Sequence, residues 1–214
     1  VTQKTVETTW LEFLKLFLAG HAANTFDQLL KHKLLLYLFP DTYAELLRHP
    51  TAVALVRAAM VSTDQRIAQD KPVTPAFILA ALLWPVVQRE AVRLQDHGEP
   101  PLVAMNNAAH EAISEAVRNI SIPKRFSQPM REIWEFQPRL ENRHGRKAAE
   151  LVEHRRFRAA YDFLLLREQA GENTGNLGSW WTEFQKLPME QRILQAEQEK
   201  SPRGGRRSRG RRTR

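Results

Sequence analysis

Apolar residues recur at helical spacing along most of this chain. The first clear stripe places large side chains at positions i, i+3, i+4, i+7 and i+8, namely Trp10, Phe13, Leu14, Phe17 and Leu18. Residues at this spacing share one face of an α-helix, and Gly20 is a typical residue for the end of such a helix. We find no convincing alternation with a period of two, which would indicate a half-buried strand. The pattern therefore predicts an all-α fold with a multi-helix body.

Capping residues and prolines divide the rest of the pattern into separate helices. Asp41, Thr74 and Ser127 are expected to cap helices. Pro85 is expected to kink its helix and Pro138 to bend or break another, because proline removes a backbone hydrogen bond. The remaining helices are predicted at 25–32, 41–48, 51–70, 75–97, 102–119, 127–140, 145–153, 157–169, 177–184 and 189–199, with an apolar segment at 34–39 and a flexible turn at 171–178.

The last twelve residues, RGGRRSRGRRTR, contain arginine and glycine but no acidic residue. They offer nothing apolar for a core, so we expect a disordered tail until a partner binds it. Guanidinium groups suit phosphate, and Arg/Gly mixtures bind nucleic acid without needing a sequence. A tail that only aids solubility is the alternative. The candidate RNA-binding residues of the tail are Arg203, Arg206, Arg207, Arg209, Arg211, Arg212 and Arg214.

Positive charge is concentrated in the second half of the chain. The formal net charge is +8, from 32 Lys and Arg against 24 Asp and Glu. The tail contributes +7, and residues 118–167, with twelve basic and six acidic side chains, contribute +6. The remainder is therefore mildly acidic, at about −5. This distribution indicates that the second half faces a polyanion.

Several classes of protein are excluded or disfavoured by composition. There are no cysteines, so disulfides, thiolate metal sites and cysteine nucleophiles are excluded. The longest apolar run, 77–87, is shorter than the ~20 residues that span a bilayer, and a buried helix explains it better. No secretory signal precedes the first helix. The chain opens on Val1 rather than methionine, and we therefore expect that a preceding part has been removed.

We find no catalytic or metal-binding motif. The six aspartates include no Asp-x-Asp pair of the kind that a two-metal site uses. His110-Glu111 resembles the start of a zinc-binding helix, but Ser114 stands where the second histidine is required. The glycines of 171–178 are spaced too loosely for a phosphate loop. We therefore predict no cofactor in this chain and no enzymatic activity for the chain alone.

The other candidate RNA-binding residues are basic side chains between 122 and 167. Three of them, Arg155, Arg156 and Arg158, stand at the predicted start of a helix, where positive charge opposes the helix dipole. That cost is understandable if an external anion binds the same helix end. In the alternative, the arginines only solvate a face and Arg158 pairs with Asp162 one turn on. The remaining candidates are Lys124, Arg125, Arg131, Arg139, Arg143, Arg146 and Lys147.

The same region carries a resemblance to a known family. Its motifs are Ile122-Pro-Lys-Arg, Arg131-Glu-Ile-Trp, Arg146-Lys147, the string from Arg156 to Arg167, the pair Trp180-Trp181 and the terminal Arg/Gly tail. These motifs resemble the C-terminal RNA-binding region of bacterial poly(A) polymerases, which belong to the class II nucleotidyltransferases. Weaker similarity extends upstream and covers most of the chain. The division that we expect is a helical body at 1–120, a basic RNA-binding region at 121–199 and a tail at 200–214.

The resemblance implies a function for the intact protein. Members of this family add adenylates from ATP, with Mg²⁺, to the 3′ ends of RNA in the cytoplasm, using a head domain with an Asp-x-Asp motif. That motif is absent here, so the resemblance implies a C-terminal fragment that holds single-stranded RNA. No catalytic residue can be carried over, and no protein partner is indicated. Two alternatives stay open: part of a tRNA CCA-adding enzyme, and a free-standing helical RNA-binding or chaperone module.

Overall fold

The computed structural model describes residues 3–199, and the side chains of residues 10–199. The predicted disordered tail lies outside these residues. The described part is built from twelve helices without a strand, which confirms the predicted all-α fold. The helices are α1 (Gln3–Phe17), α2 (Ala22–Lys31), α3 (Leu35–Leu38), α4 (Pro40–Arg48), α5 (Pro50–Ala68), α6 (Pro75–Asp96), α7 (Pro101–Asn119), α8 (Lys124–Leu140), α9 (Arg146–Leu151), α10 (Phe157–Gln169), α11 (Leu177–Phe184) and α12 (Met189–Gln198).

The helix ends confirm one of the three predicted capping residues and correct the other two. Thr74 caps α6 as predicted, because its hydroxyl oxygen accepts a hydrogen bond from the Ala76 amide at 3.3 Å. Asp41 and Ser127 do not act as caps. Their helices begin earlier, at Pro40 and at the residue after Pro123. Proline has a fixed φ and lacks an N–H, so it is well suited to a helix start and replaces the expected polar cap.

Prolines inside two helices do not break them. α6 continues through Pro85, and α8 continues through Pro129 and Pro138 as far as Leu140. Pro138 was expected to bend or break its helix, and of these two outcomes the break does not occur. The physical reason is burial: α8 places Met130, Ile133, Trp134, Phe136 and Leu140 in the interior. Tertiary packing of this face stabilises the helix beyond the local preference of its residues.

The start of α2 is set by a residue distant in sequence. The Asp64 carboxylate accepts hydrogen bonds from the amides of Ala22 and Ala23, at 2.7 and 3.0 Å. These amides belong to the first turn of α2 and have no partner within the helix. Negative charge at this end is also favoured by the helix dipole. α2 therefore begins three residues before the predicted position, and Asp64 has a structural role.

Two apolar cores lie within the described part. The larger surrounds α6 and includes the buried side chains of Phe17, Phe26, Met60, Leu79 and Trp134. The smaller is formed by α8 to α12 and includes Phe157, Tyr161, Trp181, Phe184 and Ala196. The larger core takes side chains from both sides of residue 120, since Ile122 and Ile133 belong to it. The division of the chain at residue 120 stays a prediction.

α6 is the central helix of the larger core. It is long and apolar enough to pass a length-and-composition test for a membrane span, with a mean hydropathy of 1.3 over its most apolar window. However, 72% of that window is buried inside the protein. The predicted buried helix is therefore present at this position, packed between its neighbours.

Hydrogen bonds from α8 connect the two cores. The Trp134 indole Nε1 donates to the Ala80 carbonyl oxygen of α6 at 3.1 Å. The Gln137 amide nitrogen donates to the Ala160 carbonyl oxygen of α10 at 3.2 Å, and its amide oxygen accepts from Arg167 at 2.8 Å. All three side chains are buried, so these bonds are shielded from water. They fix α8, and with it the basic residues on its outer face.

Candidate nucleic-acid interface

The predicted basic residues of the second half fall into two groups. Within the described residues, one group has a carboxylate within 4.0 Å and the other has none. The paired group is Arg139 with Glu135, Arg146 with Glu150, Arg155 and Arg156 with Glu132, and Arg158 with Asp162. The unpaired group is Lys124, Arg125, Arg131, Arg143 and Lys147. The arginines of the tail lie outside the described residues.

The turn that precedes α10 contains two arginines that share one carboxylate. Glu132 of α8 lies between Arg155 and Arg156. Its carboxylate accepts a hydrogen bond from Arg155 at 3.4 Å and another from the Nε of Arg156. In the first turn of α10, the Arg158 guanidinium lies 3.0 Å from the Asp162 carboxylate. We call Arg155, Arg156 and Arg158, with these two carboxylates, the paired arginine turn.

The surroundings of Glu132 favour the charged form of its carboxyl group. Burial favours its neutral form, but hydrogen bonds from Arg156 and Gln128 and the charges of Arg156 and Arg155 outweigh that effect. The pKa of Glu132 is therefore below its ordinary value of 4.5. The carboxylate is charged at neutral pH and holds both arginines against α8.

The paired arginine turn changes the interpretation of the helix start. In one of the two interpretations of the sequence, an external anion offsets the positive charge at the beginning of α10. In the structure, Glu132 and Asp162 supply that negative charge from within the chain. The pair between Arg158 and Asp162 that the alternative predicted is present. A phosphate that binds here has to compete with these carboxylates, and the assignment of the three arginines to RNA stays a prediction.

A second basic surface lies between α8 and α9, where Arg143 and Lys147 have no carboxylate within 4.0 Å among the described residues. We call Arg143, His144, Lys147 and Trp180 the α8–α9 corner. The Arg143 guanidinium carbon lies 5.8 Å from the centroid of the Trp180 ring, and that ring stacks on Phe184 at 4.2 Å. Lys147 is exposed on the first turn of α9. The corner therefore combines positive charge with an aromatic ring that is only partly buried.

The end of the described chain is attached to this corner. The Trp180 indole nitrogen donates to the Glu199 carboxylate at 2.7 Å, and the His144 imidazole Nδ1 is hydrogen-bonded to the Glu199 carbonyl oxygen at 2.7 Å. The Gly145 amide also donates to the Ala196 carbonyl oxygen at 2.8 Å. These three hydrogen bonds hold the end of α12 and Glu199 against the corner.

Two further unpaired cations lie at the start of α8. Lys124 and Arg125 are the first residues of the helix and are exposed. The Arg125 guanidinium lies 4.9 Å from the Phe126 ring centroid, and Phe126 packs against Trp10 of α1. Arg125 is therefore positioned by a residue that packs on the body. They offer a second place for phosphate contact at the opposite end of α8 from the corner.

Arg131 differs from the other unpaired cations. One of its terminal nitrogens approaches the Nδ1 of His110 at 3.1 Å, and its Nε is buried without a hydrogen-bond partner in the described residues. The side chain is half-buried between α7 and α8. Its position suits packing between helices better than contact with a ligand. The prediction that Arg131 binds RNA is not tested by these contacts.

Two arginines of the basic half have structural roles that sequence reasoning missed. Arg167 is buried; it binds Glu172 at 2.6 Å and lies 4.9 Å from the Trp84 ring centroid. Arg192 is also buried and donates to the carbonyl oxygens of Leu187 and Ala149 at 2.8 and 3.2 Å. Both belong to helices whose other inward residues are apolar, so periodicity alone gives no signal of these contacts. Their charge is not available to a ligand.

Comparison with known protein families identifies two matching regions. Residues 97–214 match a family model described as the polymerase A arginine-rich C-terminus. Residues 9–46 match a second model, described as a probable RNA and SrmB-binding site of polymerase A. The first region includes the paired arginine turn, the α8–α9 corner and the tail. The second lies in α1 to α4, in the half of the chain that sequence reasoning assigned to the body.

Relatives with curated names are similar over most of this chain. Poly(A) polymerase I of Salmonella typhi is 35% identical over 197 residues, which is 89% of this chain and 42% of the relative. Poly(A) polymerase I of Escherichia coli O157:H7 is 34% identical over 204 residues, covering 92% and 44%. The Haemophilus influenzae enzyme of the same name is 32% identical over 202 residues, covering 89% and 44%. The chain spans less than half the length of these relatives.

Proposed function

Because this chain belongs to the family of the polymerase A arginine-rich C-terminus, we propose that it is the RNA-holding part of a bacterial poly(A) polymerase. In this proposal, adenylate addition to RNA 3′ ends is performed by parts of the protein outside these 214 residues. The described residues supply a rigid helical body and its basic surfaces. The tail supplies further positive charge. The proposed partner is single-stranded RNA, and the proposed location is the cytoplasm.

The observation that carries the proposal is the α8–α9 corner. Arg143 and Lys147 have no carboxylate within 4.0 Å among the described residues, and Trp180 presents an aromatic ring beside them. Basic groups that follow a phosphate backbone, together with rings on which bases stack, are typical of proteins that bind single-stranded nucleic acid. In the sequence, the arginine-rich tail follows Glu199, which is hydrogen-bonded to this surface. RNA held by the tail therefore has the corner within reach.

The described residues do not fit the magnesium and ATP that the complete enzyme is expected to use. No three His, Asp or Glu side chains come together there in a way that could hold a metal ion. The aspartates that have described partners are committed elsewhere: Asp27 to Arg57, Asp64 to two backbone amides and Asp162 to Arg158. We therefore assign no residue of the described part to nucleotide chemistry. Magnesium and ATP remain part of the proposal for the whole protein only.

RNA binding by the corner is tested with the purified chain and a fluorescent 20-nucleotide oligo(A). The double variant Arg143→Ala/Lys147→Ala is expected to bind about five- to twentyfold more weakly, since it loses two phosphate contacts and the cation beside Trp180. Arg57→Ala is the control, because it also removes a surface arginine but one that is paired with Asp27. Equal affinity of the parent and the double variant would contradict the proposed role of the corner.

A second assay addresses the division of labour. The chain alone is expected to add no adenylate to an oligoribonucleotide in the presence of ATP and Mg²⁺, although it binds that RNA. Incorporation of label from ATP into the oligoribonucleotide by the purified chain, above the level of a buffer control, would contradict the proposal. The assay requires the same preparation that is used for the binding titration, so that inactivity is not confused with misfolding.

A further inference from the structure

The connection between α2 and α3 exposes an unusual set of side chains. We call residues 31–37 the α2–α3 segment; its sequence is Lys-His-Lys-Leu-Leu-Leu-Tyr. Tyr37 is 75% exposed, the highest value among the large apolar and aromatic side chains of the described part, and Leu34 and Leu36 are also exposed. Within α3 only Leu35 is buried. The outer face of this short helix is therefore an aromatic and aliphatic surface without a partner in the described residues.

The charge of the α2–α3 segment has a single sign. No acidic residue occurs between Asp27 and Asp41, while Lys31, His32 and Lys33 follow one another. All three are exposed, and neither lysine has a carboxylate within 4.0 Å among the described residues. The segment thus differs from the paired arginine turn, where every cation is held by a carboxylate. Its positive charge is available to an anion.

The backbone of the segment is fixed by the end of α2. The Lys33 amide donates to the Leu30 carbonyl oxygen at 3.1 Å, and the Leu34 amide donates to the Leu29 carbonyl oxygen at 2.9 Å. This hydrogen-bond pair is the Schellman motif, in which the residue at the position of Lys33 is usually glycine. Lys33 takes the required left-handed conformation, with φ at +58°. A lysine therefore occupies a position where glycine is the least strained choice.

The inner side of the segment connects it to the start of α8. Phe39, which follows α3, packs edge-on against Phe13 at 6.2 Å. Phe13 stacks on Trp10 at 5.4 Å, and Trp10 contacts Phe126 at 5.2 Å. This row of rings joins the segment to the first turn of α8, where Lys124 and Arg125 are exposed. The segment is therefore followed closely by a residue that packs into the aromatic interior of the body.

We propose that the α2–α3 segment is a second contact for single-stranded RNA, in which one base stacks on the Tyr37 ring and Lys31 and Lys33 bind the adjacent phosphates. The proposal rests on the proposed function and assigns it a further site, far along the chain from the α8–α9 corner. Positive charge beside an exposed aromatic ring is the combination with which proteins bind single-stranded nucleic acid. The segment lies within residues 9–46, the region matched by the family model whose description names RNA.

The test compares variants that separate the ring, the charge and the backbone. Tyr37→Leu keeps an apolar side chain but removes the stacking surface, and it is expected to bind oligo(A) about five- to tenfold more weakly than the parent. Tyr37→Phe keeps the ring and is expected to remain within about twofold. Lys33→Gly removes one cation while relieving the left-handed backbone. It is expected to weaken binding about two- to threefold without lowering Tm.

Asp70→Gly is the matched control for Lys33→Gly. Asp70 ends α5 with the same pair of backbone hydrogen bonds and a φ of +52°. Its replacement changes the backbone in the same way and removes a negative rather than a positive charge. It is therefore expected to leave RNA affinity unchanged or slightly higher. If the effect of Lys33→Gly came from the changed backbone and not from the lost charge, both glycine variants would bind RNA more weakly, and by similar amounts.

The outcomes distinguish this inference from the proposed function. If Tyr37→Leu and Lys33→Gly bind oligo(A) as tightly as the parent while Arg143→Ala/Lys147→Ala binds weakly, the RNA assignment of the segment is overturned and the proposed function stands. The exposed apolar face would then be assigned to a protein partner. If the parent itself does not bind oligo(A), both proposals are overturned. Weaker binding by Tyr37→Leu, with the affinity of Tyr37→Phe retained, supports the stacking contact.

Discussion

The paired arginine turn and the α8–α9 corner are similar in sequence composition and different in chemistry. Both contain closely spaced basic residues in the second half of the chain. In the turn, Arg155 and Arg156 share Glu132 and Arg158 binds Asp162. In the corner, Arg143 and Lys147 have no such partner among the described residues. The comparison shows that a count of arginines does not measure the charge that a ligand meets; the position of the carboxylates decides it.

The largest effect is expected from the tail, which contains seven arginines and no acidic residue. Deletion of 203–214 should weaken binding to RNA of any sequence. About 0.7 counterions are released per phosphate contact on single strands, so the loss of about four to seven contacts lowers the log–log salt slope by roughly 3 to 5. The measurement is a titration of RNA affinity between low and high salt. An unchanged slope would show that the tail makes no phosphate contacts.

Removing the carboxylate of the turn should convert it into a surface like the corner. Glu132→Gln is expected to release Arg155 and Arg156, to raise RNA affinity by about two- to fivefold and to steepen the salt slope by about 1. It should also lower the free energy of unfolding by about 1 to 2 kcal/mol, because a charge-assisted hydrogen bond is lost. Salt titration and urea unfolding check the two effects.

Glu135→Gln is the control for this prediction. Glu135 also lies on α8, but its carboxylate is 4.0 Å from Arg139, at the limit of an ion pair. Its removal should change both stability and RNA affinity much less than Glu132→Gln. Equal effects from the two variants would mean that the net charge of α8 matters and that the specific pairing at Glu132 does not.

The pH dependence of stability should show the contribution of the Glu132 carboxylate, which belongs to the turn and has no counterpart paired with the cations of the corner among the described residues. The pKa of Glu132 is lower in the folded chain than its ordinary value of 4.5. Its contribution to stability is therefore complete above about pH 4.5 and is lost as the pH falls through the lower, folded value. The parent should lose its stability advantage over Glu132→Gln below that pH. Urea unfolding of both proteins from pH 7 to pH 3 checks this, and a constant difference at all pH values would contradict it.

These contacts also show how far the sequence predicts the molecule. The limits of α10 and α11 and the cap at Thr74 follow from local spacing, and so does the pair between Arg158 and Asp162 one helical turn apart. Glu132 is more than twenty residues from the arginines it binds, and Asp64 is more than forty from the amides it caps. Contacts of that kind depend on how helices pack. Periodicity within one helix carries no information about them.

The same limit applies to the candidate site. The motifs from Ile122 to Arg167 correctly directed attention to the polymerase family, and the arginine-rich region is matched by its family model. They did not indicate which cations are neutralised, nor that Arg167 itself is buried against Trp84. In the first half, the run from Leu34 to Phe39 was interpreted only as an apolar segment. The exposure of Tyr37 depends on the way α3 packs, which the spacing does not reveal.

The central claim is that pairing determines which basic residues hold RNA. It is tested most directly by titrating oligo(A) with Arg143→Ala/Lys147→Ala and Arg155→Ala/Arg156→Ala in the same buffer, beside the parent chain. Both variants lose two cations. The account predicts that the corner variant loses at least three times more affinity than the turn variant, with a larger decrease in the salt slope. Equal losses, or a larger loss from the turn variant, would contradict it.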